Sequence, residues 1–103
     1  MKITKPIYYE CHITIEPVYG ERLSYFQDLA SRYDFRVAKL LMQKDREATE
    51  QRSNKDSFCT GHAKDFDDIH DRMHLLKEDL IQAGFQVWRC KIEAIVLDEK
   101  YSR

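Results

Sequence analysis

Residues 7–16, IYYECHITIE, alternate without a break: Ile7, Tyr9, Cys11, Ile13 and Ile15 fall on one side, Tyr8, Glu10, His12, Thr14 and Glu16 on the other. A period of two rich in β-branched residues predicts a strand buried on one face. Pro17 closes the run, because proline has no N–H to give a sheet ladder. Beyond Gly20, Leu23, Phe26, Ala30 and Tyr33 recur at helical spacing with Leu29 beside them. A second strand is predicted in FRVAKLLM, 35–42. Residues 43–56, QKDREATEQRSNKD, carry almost nothing apolar and read as a long, mobile, charged loop. SFCTGHA (57–63) reads as a third strand. In DFDDIHDRMHLLKEDLIQAG (65–84) Ile69, Met73, Leu76 and Leu80 form a stripe, with acids in the first turn and Gly84 as the stop. FQVWRCKIEAIVL (85–97) is a long last strand and DEKYSR (98–103) a polar tail. The element order is βαββαβ.

The two halves superpose at an offset of 50: Phe35 falls on Phe85, Val37 on Val87, Leu23 on Met73, Phe26 on Leu76, Ala30 on Leu80 and His12 on His62. One offset serving both helix and strand positions suggests an internal duplication. A repeated β-α-β unit points to an α+β, ferredoxin-like sandwich with two helices on one face of a four-stranded antiparallel sheet. Strand order 4-1-3-2 is expected, with the first and third strands as central neighbours and right-handed crossovers. If His62 is equivalent to His12, Phe58, Thr60 and His62 join Tyr8, Glu10 and His12 on the open face. Cys59, Gly61 and Ala63 then face the helices with Tyr9, Cys11 and Ile13. A core-facing Phe58 would reverse this. On the last strand Trp88, Cys90, Ile92 and Ala94 are expected inward, and Arg89, Lys91 and Glu93 outward.

The 103 residues suit one small domain spanning 1–103. A hydrophobic share of 43% with 34% charged residues describes a globular chain, and a net charge of -1 gives no bulk attraction to nucleic acid. No run has the apolar length of a signal peptide or a membrane span. Cys11, Cys59 and Cys90 are odd in number and lack metal-ribbon spacing, which fits free thiols in a reducing cytoplasm.

The open face would set His12 and Thr14 beside Thr60 and His62, flanked by Lys39, Arg89 and Lys91, with Tyr8 nearby. Two imidazoles across a phosphodiester can serve as general base and acid near neutral pH. Threonine hydroxyls and the cations can hold phosphate oxygens. That chemistry requires neither a metal nor a cofactor.

His12-Ile13-Thr14 resembles the HxT element of the two-histidine phosphoesterases, which open cyclic phosphates or act on 2′-5′ RNA linkages. The resemblance implies acid–base roles for His12 and His62 and phosphate contact by Thr14. The second element departs from it: His62-Ala63-Lys64 has its threonine, Thr60, two places before the histidine. More broadly, YYECHITIEP, FRVAKLLMQK, SFCTGH and AGFQVWRCKIE together are similar to a small family of phage and bacterial proteins without assigned activity.

Simpler roles account for several of these residues. A histidine on the polar face of a strand is most often a solvated one. His70 and His74, at i and i+4 on the second helix with Asp67, Asp71 and Glu78 nearby on that side, have zinc-like spacing but lack the Glu of an HExxH motif and lie on the outward face. The cysteines and Trp88 read as core. Three readings remain. The first is a ligand-binding or protein-interaction module using the open face, including a homodimer paired through the last strand, which Ile95, Val96 and Leu97 prolong. The second is a metal-independent phosphoesterase. The third is a single-stranded RNA binder stacking bases on Tyr8 and Phe58. Binding and interaction together carry more weight than catalysis.

Overall fold

The computed structural model describes residues 6–37 and 56–96. Six elements follow in the expected order: β1 (Tyr8–Ile15), α1 (Glu21–Ser31), β2 (Arg36–Val37), β3 (Ser57–Ala63), α2 (Phe66–Gln82) and β4 (Val87–Ile95). The strands form one antiparallel sheet ordered β2-β3-β1-β4, which is 4-1-3-2 counted from the other edge. Both helices contact the sheet, giving the ferredoxin-like arrangement. The expected second strand beyond Val37, the charged loop up to residue 55, Lys39 and the polar tail lie outside the described residues.

Alternation in β1 becomes burial directly. Cys11, Ile13 and Ile15 are sealed against the helices, while His12 and Thr14 stay partly open. Ile7 departs from the pattern: it precedes the strand in a bend and is 52% exposed. From above, α1 contributes Leu23, Phe26, Leu29 and Ala30, and α2 contributes Ile69, Leu76 and Leu80. Burying each large apolar side chain contributes about 1.5–3 kcal/mol. Ser57 is the buried polar residue of this core; its Oγ accepts the Val18 N–H at 3.2 Å and ties the chain after β1 to the start of β3.

The ends of the helices obey the offset of 50 closely. Asp34 after α1 has φ 59°, and Gly84 after α2 has φ 90°. In the first turn Phe35 N–H donates to Ala30 O (2.9 Å) and Asp34 N–H to Ser31 O (3.2 Å). In the second, Phe85 N–H donates to Leu80 O and Gly84 N–H to Ile81 O, both at 3.0 Å. These are two Schellman caps, in which a left-handed residue reverses the chain and the next residue packs back on the helix. The next residues are Phe35 and Phe85, both in the core. Asp34 carries the left-handed strain that glycine avoids at Gly84.

Cys11 and Gly61, equivalents at this offset, sit directly opposite each other in the β1–β3 ladder, as a twofold axis between the central strands requires. The edges break the symmetry. Val37 pairs with Cys59, so Val87 would be expected opposite Tyr9; it pairs instead with Ile15.

A bulge where β1 passes from Thr14 to Ile15 corrects the reading of the last strand. Thr14 pairs with Arg89 and Ile15 with Val87, leaving Trp88 as the extra residue. Val87 therefore packs on the core, and Trp88, expected there, is 55% exposed. Cys90 and Ile92 do face inward; Ala94, paired with Tyr9, is exposed. Ile95 pairs with Tyr8, so it belongs to the sheet instead of prolonging β4 past it.

Candidate functional site

The open face is built by pairing across the two central strands. His12 lies opposite Thr60 and Glu10 opposite His62, which confirms the expected facing of β3: Cys59 and Gly61 are buried, Thr60 partly open and His62 exposed. On the other side of β1, Thr14 pairs with Arg89, His12 with Lys91 and Glu10 with Glu93. The face thus stacks imidazole, hydroxyl, cation and carboxylate in adjoining rows.

Glu10 is its hub. One carboxylate oxygen accepts from His12 Nε2 at 2.9 Å and the other from His62 Nε2 at 3.0 Å. The two expected histidines therefore share a carboxylate. The hydrogen bond from His12, backed by the one from His62 and by both imidazoles' charge, holds the Glu10 carboxyl below its ordinary value of 4.5 against the opposing effect of burial. When the ring is neutral and Nε2 donates, His12 Nδ1 is left to accept from Thr60 Oγ1, 3.4 Å away. Tyr8 meets the His62 ring edge-on at 5.6 Å, and Phe58 lies 5.8 Å from the His12 ring.

Two concavities open on this face. His12, Thr14, Phe58, Arg89, Lys91 and Glu93 line one of about 270 Å3. Thr60 and His62 line another with Asp34 and Arg36. The expected site residues thus divide into two groups joined through Glu10. Lys91 Nζ is engaged with Glu93 Oε1 at 3.0 Å. Among the described residues Arg89 has no carboxylate partner, although it stands in the same depression.

Sequence reasoning placed Glu10, Glu93 and Phe58 on the correct face but did not count the two glutamates as site residues. Alternation signals the face; only register shows which side chains meet. Arg36 was missed for the same reason. On α2, His70 and His74 stack at 5.7 Å with Phe66 beside His70, and they form no group of three metal-ligating side chains among the described residues. Among those residues no helix is long and apolar enough to cross a membrane.

The thiols are far from nucleophilic. Burial pushes Cys11 up to about 12, and desolvation likewise raises Cys59 and, to a lesser degree of burial, Cys90. In the folded protein an alkylating reagent is expected to modify the half-buried Cys90 first, and Cys11 and Cys59 only on unfolding. Mass-spectrometric mapping of labelled peptides checks this; prompt labelling of Cys59 would contradict the packed strand pair. Comparison with protein families, with curated proteins and with solved structures finds no match.

Proposed function

We propose that the protein is a ligand-binding module whose open sheet face takes a phosphate-bearing small molecule of nucleotide size. The carrying observation is the guanidinium of Arg89, without a carboxylate partner among the described residues, in a depression that also holds Thr14, Lys91, His12 and the Phe58 ring. An arginine fork matches phosphate oxygens, a threonine hydroxyl adds a donor, and an aromatic ring offers a stacking surface to a base. A volume of about 270 Å3 suits a mononucleotide better than a folded partner. The same face suits a single nucleotide of RNA in the identical manner. A reducing cytoplasmic setting agrees with three free thiols.

Binding is preferred to turnover on a geometric ground. A two-histidine phosphoesterase needs both imidazoles aimed at the scissile phosphate, whereas here both Nε2 atoms are engaged on Glu10. Calorimetric titration with a nucleoside 2′,3′-cyclic phosphate and with inorganic phosphate tests the reading. Arg89→Ala is expected to weaken both ligands 10- to 100-fold, as loss of a charged hydrogen bond does. Phe58→Ala is expected to weaken the nucleotide alone. Absence of binding at millimolar ligand, or an Arg89→Ala variant that binds normally, removes the proposal. Opening of the cyclic phosphate that disappears in His12→Ala and in His62→Ala would establish the phosphoesterase instead.

A further inference from the structure

Glu10 and Glu93 stand directly opposite each other across β1 and β4. Like charges at paired positions destabilise a sheet, and here the compensation comes from the side, His12 and His62 on Glu10 and Lys91 on Glu93. They are also an odd choice beside a seat for phosphate, since carboxylates repel it. His12, two residues from Glu10 on the same face, completes a group whose ligand atoms all lie within 4.8 Å of one another. It is the one such group of three among the described residues.

We propose that Glu10, His12 and Glu93 form a binding site for a divalent transition-metal ion of the zinc class. One imidazole and two carboxylates are a donor set that zinc-like ions accept, and three protein ligands leave a coordination position open. Bond lengths of about 2.0–2.2 Å bring ligand atoms to about 3–3.5 Å from one another, so a small turn of the two partly exposed glutamates closes the group. The His12 Nε2 and Glu10 Oε1 atoms are already 2.9 Å apart, held by the neutral ring's single proton, which leaves Nε2 when the metal takes its place and is regained at Nδ1, with no net release. Nδ1 then carries the imidazole proton and donates to Thr60 Oγ1, which lies 3.4 Å away and fixes the ring for coordination. Lys91 works against the ion, because its Nζ holds Glu93 Oε1 at 3.0 Å. The site shares His12, Glu93 and Lys91 with the phosphate depression but does not depend on that reading.

Titration of the tag-free full chain with Zn2+ by calorimetry, and with Co2+ by visible absorption, tests the metal alone. One ion per chain is expected. Glu93→Gln, Glu10→Gln and His12→Ala should each weaken it at least tenfold, and Thr60→Val about tenfold, as lost outer contacts do. Lys91→Met should tighten metal binding while weakening the metal-free nucleotide, so the two readings fail separately. The double change His70→Ala and His74→Ala should leave metal affinity unchanged. Circular dichroism verifies that each variant is folded. No binding at millimolar ion, a Co2+ spectrum showing thiolate ligation, loss in the His70/His74 variant, or Lys91→Met binding no more tightly than the parent would each overturn the proposal.

Discussion

Gly61→Ala is expected to destabilise the protein by about 1–3 kcal/mol, the range of an overpacked core. A methyl at this position would stand 2.8 Å from Phe35 Cε1 and 2.9 Å from Cδ1 and Cζ of the same ring. Phe35 is 1% exposed, and the cap that follows α1 fixes its backbone, so the ring has nowhere to retreat. Glycine inside a strand ordinarily costs about 0.5–1 kcal/mol relative to alanine. Propensity alone therefore predicts stabilisation, and the close approach predicts the reverse. Urea unfolding decides the sign. Combining Gly61→Ala with Phe35→Leu should recover part of the loss, since the two residues share one contact and their effects cannot add. A neutral or stabilised Gly61→Ala variant would mean that the ring does not lie against β3.

That contact shows what the sequence could and could not say. Alternation in residues 8–15 and the stripe of α2 are local signals, and each survives as burial because one face of each element meets the core. The offset of 50 supplied the facing of β3, which SFCTGHA alone leaves ambiguous, and it reappears in the paired caps at Asp34 and Gly84. Trp88 was misplaced because a bulge is a relation between two strands. Nothing in FQVWRC marks where β1 will skip a residue. Glu10 was legible as a neighbour of His12 but not as the link to His62, since that link depends on the cross-strand register. The symmetric picture of two equivalent histidines around a phosphate omitted this carboxylate. By engaging both Nε2 atoms it is the feature on which the proposed preference for binding over acid–base catalysis rests.

Arg72 joins the fold to that site, and Arg72→Ala is expected to cost about 3 kcal/mol. Its guanidinium donates to Tyr33 O at 2.9 Å, His62 O at 2.8 Å and Asp34 O at 3.2 Å, with the side chain only 18% exposed. The three carbonyls belong to the turn after α1 and to the end of β3, so one side chain of α2 clamps both halves. It also lies over the Phe35 ring at 5.6 Å, adding a cation–π contact. The cost falls below the sum of three charge-assisted bonds because carbonyls freed at the sheet end can be hydrated. Arg72→Lys should restore little, since a single ammonium cannot span three acceptors as a planar fork does. The effect on the site is directional. Releasing His62 O lets β3 fray at its end, which should loosen the His62 bond to Glu10 and leave His12, mid-strand, in place. Urea unfolding with NMR of the four imidazoles reads both parts: a stability loss together with displaced His62 resonances and nearly unmoved His12 resonances. If Arg72→Ala is as stable as the parent, or moves His12 as much as His62, then α2 does not hold the open face in the way these three bonds imply.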